Sequence, residues 1–199
     1  MATKQSTKDR IKAQALNLFS TNGFAGGSVR DISKRAGVRE SALYNYFSSK
    51  EAILVELIND AKENSIGSAL LTEDLLDDLK TPKIFINNFV NILFKHWNQE
   101  NQKKYLRLIL IEQFRNKNKV NISVNILIED ITNIWAMIFS QMQNFKFIKT
   151  LDSKTLAEEF VNPLFMLRLQ YLTSDNVDWK RLQAKSNTHI DYFWNLIKR

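Results

Sequence analysis

Apolar residues recur every three or four positions along most of this 199-residue chain, and nowhere does the pattern settle into the period of two that marks a strand. Helices are therefore expected from end to end. The first places Ile11, Ala15, Leu18 and Phe19 on one face and stops at Asn22-Gly23-Phe24. Later ones are predicted near 49–66, 82–99, 102–117, 122–144, 153–173 and 178–198. Between 67 and 81, Gly67, several acids and Thr81-Pro82 predict a break with a short helix at 72–79, and Pro82 sits in the first turn of the next helix.

The predicted helices differ in the width of their apolar stripe. Over 82–99, Phe85, Phe89, Ile92 and His96 run beside Ile86, Val90, Leu93 and Trp97, an arc wide enough to make that helix central. Over 122–144, Leu127, Ile131, Ile134 and Ile138 run beside Trp135, Phe139 and Met142. The last two helices carry narrower seams. One is Leu156, Phe160, Leu164, Leu167 and Tyr171, with Pro163 expected to kink it; the other is Trp179, Leu182, Ser186, Ile190, Phe193 and Ile197.

Residues 28–51 carry the sharpest local signals. Ser28 can cap a helix, with Asp31 three residues on as a variant capping box. Val29, Ile32 and Ala36 then point inward while Arg30, Lys34 and Arg35 stay solvated. Gly37 can take positive φ and end the helix. Val38 and Leu43 are placed to bury against Ile32, and Phe47 closes the small core. That leaves Arg39, Glu40, Ser41, Ala42, Tyr44 and Asn45 facing outward. Ser48 and Glu51 are expected to form the capping box of the following helix, where Lys50 and open amides make a phosphate seat. Two short helices on a glycine turn, with a polar outer face, are the grammar of a helix-turn-helix over 28–47, whose second helix enters the DNA major groove.

Ser-Val-x-Asp-Ile-x-x-x-Ala-Gly-Val followed by Leu-Tyr-x-Tyr-Phe-x-Ser-Lys-Glu resembles the TetR family of bacterial transcriptional regulators, and the likeness extends over about the first 65 residues. The resemblance implies an all-α chain of about nine helices, with a three-helix DNA-binding domain at 5–65 and a helical effector-binding and dimerisation domain at 66–199. It makes Ser28, Tyr44, Tyr46 and Lys50 backbone-positioning groups. Arg30 is counted with them on the DNA face, and Arg39, Glu40, Ser41, Ala42 and Asn45 are the candidates for base edges. Two positions depart from the pattern. Arg39 stands where Ser or Thr usually caps the recognition helix, and Ser41 where Gly is common. The residues leave open whether Glu40 or Ser41 starts that helix, and whether Arg39 reads guanine or holds a phosphate.

Charge sharpens the picture. The net charge is +7, and residues 1–50 hold nine Lys/Arg against three Asp/Glu, so nearly all of the excess sits on the candidate reading head. Lys4, Lys8, Arg10 and Lys12 are either an arm that touches phosphate or simply a solvated surface. There are no cysteines, hence no disulfides and no thiolate metal site. The N-terminus carries no apolar leader and the apolar runs are too short to span a bilayer, so a cytoplasmic bacterial protein without membrane contact is expected. With two histidines, no H-E-x-x-H, no P-loop and no nucleophile elbow, an enzyme is not expected, nor is a cofactor or a metal.

In the body, bulky aromatics with Met and a few isolated polar groups suit a small-molecule pocket, and Phe89, His96, Trp97, Arg107, Gln113, Trp135, Phe139, Met142, Phe165 and Arg168 are its candidate lining. Through the family resemblance, Leu156, Phe160, Leu164, Leu167, Tyr171, Leu182, Ile190, Phe193 and Ile197 become candidates for a homodimer contact; the alternative is that both seams cover the protomer's own core. The expected function is a dimeric repressor of a palindromic duplex operator, released by a small hydrophobic effector. The rival is a DNA-binding protein without such an effector, controlled by a protein partner or acting architecturally.

Overall fold

In the computed structural model the described residues are 6–65, 78–115 and 120–199, with Leu79 described by its backbone alone. Among them are nine α-helices: α1 (Thr7–Asn22), α2 (Val29–Ala36), α3 (Glu40–Tyr44), α4 (Lys50–Glu63), α5 (Pro82–Trp97), α6 (Glu100–Glu112), α7 (Glu129–Asn144), α8 (Ser153–Tyr171) and α9 (Trp179–Ile197). The only β pairing among the described residues is a single antiparallel bridge between Ile148 and Lys198. The all-α expectation holds.

The chain forms two compact units, Met1–Asn64 with Glu100–Ile126 and Ser65–Gln99 with Leu127–Arg199. The head unit thus draws in α6 from beyond α5 in the sequence. Its core is built from Ile11, Ala15 and Phe19 of α1, Ile32 of α2, Leu43 of α3, Ile53 and Leu54 of α4, and Leu108 and Ile109 of α6, all fully buried. Polar side chains fasten the same helices. Lys8 pairs with Glu56 at 2.6 Å and Lys12 with Asp60 at 2.8 Å, clamping α1 to α4. Gln102 of α6 donates to the Asn64 carbonyl at 2.7 Å, just past the end of α4.

The second unit is an aromatic core. Trp135 of α7 packs against Phe160 of α8 with ring centroids 4.5 Å apart and against Phe89 of α5 at 5.0 Å, both edge to face. Phe139 joins them, and Phe193 of α9 closes the layer on Phe139 and Phe160. α8 continues across Pro163, an exposed position where the missing N–H leaves a carbonyl that water can reach. After α9 the chain is pinned to the α7–α8 loop, where Lys149 donates its backbone N–H to Ile197 and its ammonium to the Leu196 carbonyl, each at 2.8 Å.

Two predicted boundaries move. The expected helix at 122–144 begins only at Glu129, behind a 3-10 turn at Val124–Leu127, because Ile128 offers no side-chain cap and the first acids able to face the helix dipole are Glu129 and Asp130. The expected 102–117 helix ends at Glu112, after which 113–115 turn. The expected helix at 72–79 lies almost wholly outside the described residues, which resume at a 3-10 turn over Asp78–Lys80.

Candidate nucleic-acid interface

Local hydrogen bonds shape the helix-turn-helix. Ser28 caps α2 by accepting from the Asp31 N–H at 3.0 Å, and its hydroxyl donates back to the Asp31 carboxylate. That bond, ahead of the weaker pull of Arg35 and Arg30, holds the Asp31 carboxyl below the usual carboxylate range. Gly37 ends α2 in the left-handed region at φ +67, and the Val38 N–H reaches back to the Ser33 carbonyl at 3.0 Å, closing a Schellman turn. Ile32, Leu43 and Phe47 are buried beneath, and Val38 is half-buried.

α3 then begins at Glu40. Arg39 occupies its N-cap in an extended conformation, its carbonyl taking the Ala42 and Leu43 N–H groups while its side chain makes no capping bond. The guanidinium is therefore not spent on the helix end. The cap of α4 lies one residue later than expected: Ser49, not Ser48, accepts from the Ala52 N–H at 3.1 Å.

Of the residues expected to face DNA, Ser28, Arg30, Arg39, Glu40, Ser41, Tyr44, Asn45 and Tyr46 are exposed, and Ala42 is half-buried. Tyr44 and Tyr46 stand out, 52% and 47% exposed although aromatic. Lys50 is different. Its ammonium donates to the carbonyls of Phe24 and Gly27, each at 2.8 Å, and lies 4.1 Å from the centre of the Phe24 ring. It braces the loop between α1 and α2 with two of its three donors. Lys8 and Lys12, weighed as an arm for phosphate, are instead turned onto the acids of α4.

One contributor had no sequence signal. Glu112, at the end of α6, is buried and accepts the Phe24 backbone N–H at 2.8 Å, with Arg115 at 3.6 Å from the same oxygen. A carboxylate 88 residues away thereby fixes the turn that leads into the helix-turn-helix.

The candidate ligand residues are divided between the two units. Phe89, Trp97, Trp135, Phe139, Met142, Phe165 and Arg168 are buried in the second unit, and His96 is half-buried there. The Arg168 guanidinium lies 4.9 Å from the Trp97 ring centre and 5.6 Å from that of Phe165, and burial lowers its pKa to about 9. Arg107 and Gln113 belong to the head unit; Arg107 is exposed, and the Gln113 carbonyl oxygen accepts the Val124 N–H.

The candidate dimer residues lie inward in the protomer. Leu156, Phe160, Leu164, Leu167, Leu182, Ile190, Phe193 and Ile197 are all buried within the protomer, and Tyr171 is half-buried. Both seams face the unit's own core.

Comparison with known proteins agrees with this geometry. The sequence profile of the family described as bacterial regulatory proteins, tetR family, matches residues 11–57. The uncharacterized HTH-type transcriptional regulator YdgC of Bacillus subtilis (strain 168) is 41% identical over 75 residues, which are 37% of this chain and 38% of that protein. The HTH-type transcriptional repressor KstR2 of Mycolicibacterium smegmatis is 28% identical over 139 residues, 64% of this chain and 66% of its own length. These alignments span less than two-thirds of either relative. The crystal structure of a TetR family transcriptional regulator from Pseudomonas syringae pv. tomato DC3000 superimposes over 98% of both chains with a TM-score of 0.71 at 14% identity, a likeness of fold. No described helix is long and apolar enough to cross a membrane. Residues 11–57 match the TetR family of bacterial regulatory proteins in sequence, and the full length shares the fold of a solved TetR-family regulator.

Proposed function

We propose that this protein is a dimeric transcriptional repressor of the bacterial cytoplasm that binds a palindromic duplex operator and is released by a small hydrophobic ligand. In this reading residues 5–65 bind DNA, while 66–199 bind the effector and carry the dimer contact. One observation carries it: α3 is held rigidly from beneath by Leu43, Phe47 and Ile32 while Arg39, Glu40, Ser41, Tyr44, Asn45 and Tyr46 stay exposed around it. A fold that spends its apolar residues on holding a short polar helix outward suits groove recognition. That the relative KstR2 is a repressor favours repression over activation.

Phosphate positioning falls to Ser28, Arg30, Tyr44 and Tyr46, with Lys50 acting mainly by bracing the loop that leads into α2. Arg39, Glu40, Ser41, Ala42 and Asn45 face the base edges. Since the seams of α8 and α9 are buried, the mate is taken against their outward faces, Met166 on α8 and Ala184, Thr188, Tyr192 and Leu196 on α9 at intervals of four. Met166, Tyr192 and Leu196 are 52%, 67% and 52% exposed, an apolar surface that a twofold partner would cover. An effector among the aromatic residues of the second unit needs a coupling of only about 1–3 kcal/mol to switch binding.

Selection of bound fragments from a random duplex pool tests the proposal directly. A palindrome with half-sites about one helical turn apart is expected. Recovery of no sequence above background would overturn it. Arg39→Ala should then weaken some operator variants more than others, whereas uniform loss makes Arg39 a phosphate contact.

A further inference from the structure

A polar cavity of about 130 Å³ opens in the head unit, lined by residues of α1, α4 and α6. Its polar side chains are Asp9 and Lys12 from α1, Asp60 from α4, and Asn101 and Tyr105 from α6. Leu16 and Leu57 supply an apolar wall. At roughly 30 Å³ per water molecule, the space suits a group of about four or five heavy atoms.

Charge decides the sign of an occupant. Two carboxylates face a single ammonium, which leaves the lining with one net negative charge. Lys12 is already committed to Asp60, 2.9 Å from one carboxylate oxygen and 2.8 Å from the other. Asp9 accepts the Ser6 hydroxyl on Oδ2 at 2.6 Å, leaving Oδ1 open. Tyr105 is more than nine-tenths buried, yet its hydroxyl has no hydrogen-bond partner among the described residues. The ring is buried, and the hydroxyl is left open to a polar occupant of the cavity. Burial, reinforced by the Asp60 charge, pushes its pKa up to about 12, so it remains a neutral group able to donate and to accept.

We propose that this cavity binds a small organic cation, an alkylammonium headgroup whose N–H donors go to Asp9, Asn101 and Tyr105 while its short carbon chain lies on Leu16 and Leu57. A transition-metal ion fits less well, because no group of three or more His, Cys, Asp or Glu side chains converges among the described residues. An anion would meet the net negative charge. The site stands apart from DNA recognition, since none of its residues belongs to the helix-turn-helix, but an occupant would touch three helices that hold it.

The full chain is titrated with propylammonium chloride against sodium chloride at equal ionic strength, reading backbone amide chemical shifts. Saturable shifts centred on 9–16, 57–60 and 101–105 are expected, with the midpoint raised tenfold or more in both Asp9→Asn and Tyr105→Phe. Asn101→Leu, at an exposed position, replaces Tyr105→Phe should that variant fail to fold. Shifts that follow ionic strength alone, or a midpoint unchanged in the folded variants, overturn the proposal.

Discussion

Within the helix-turn-helix itself the chain turns its corner with bonds three to five residues long, from Asp31 to Ser28 and from Val38 to Ser33, and the helix it builds there keeps its outer face exposed. In the second unit almost nothing is local. Trp135 meets Phe85 and Phe89 from earlier in the chain and Phe160 from later, and α8 and α9 turn their apolar seams inward to the same core. The head therefore has surface to spare for a partner, while the body spends its aromatic surface on itself. Stability and recognition should consequently respond to different substitutions in the two units.

The largest effect belongs to the aromatic core. Trp135→Ala removes a fully buried indole and four ring contacts, and should cost about 3–5 kcal/mol in urea unfolding. Its Nε1 has no hydrogen-bond partner among the described residues, so Trp135→Phe loses volume but no bond and should cost clearly less. Equal losses in the two variants would mean that the indole nitrogen has a partner.

A smaller, signed pair compares the units at one backbone geometry. Gly37 in the head sits at φ +67 and Lys146 in the body at φ +59, both in the left-handed region. A Cβ at Gly37 would meet nothing nearer than Arg10 at 4.0 Å, so Gly37→Ala carries backbone strain and little else. It should destabilise by about 1 kcal/mol, the left-handed cost less the gain from a stiffer unfolded chain. Lys146→Gly should stabilise by about 0.5–1 kcal/mol for the opposite reason. Two changes of the same sign would break the comparison.

These two positions also show how far the chain could be read from its residues. Gly37, Ser28 and Leu43 announce themselves because their partners lie within a turn, and spacing alone places them. Lys8 and Lys12 do not, because Glu56 and Asp60 stand 48 residues on, and a lysine written beside a DNA-binding motif looks like a phosphate contact until its partner is seen. Glu112 is more remote still. The seams of α8 and α9 illustrate a different limit. Periodicity says that Leu164 or Phe193 will be buried, but not whether by the protomer or by its mate.

Between pH 7.5 and 5 a pH dependence should arise in the body. His189 stacks on Phe160 and shares a 3.0 Å hydrogen bond with its carbonyl; burial lowers its pKa, against the opposing pull of that bond. The unfolded chain then binds the proton more readily than the folded one. Stability from this group is complete above the ordinary value of about 6.5 and falls as pH drops through the lowered folded value. Urea midpoints between pH 7.5 and 5 should decline in the parent and decline less in His189→Gln. Parallel slopes would remove His189 as the cause.

The smallest change in stability should accompany a large change in binding. Tyr44 is half-exposed and lies at the last turn of α3. Truncating it leaves Leu43 and Phe47 in place beneath, so Tyr44→Ala should shift unfolding by no more than about 0.5 kcal/mol. If the outer face of the head is kept free for a phosphate backbone, the same variant should lose tenfold or more in affinity for every duplex tested, with a shallower salt dependence. The control is Tyr192→Ala on α9, more exposed still but in the body, which should leave each half-site contact intact and act only through protomer concentration. Loss of folding in Tyr44→Ala would place that ring in the scaffold, and an unchanged affinity would free it from the interface. Either result would dissolve the division between a head that reads and a body that holds itself together.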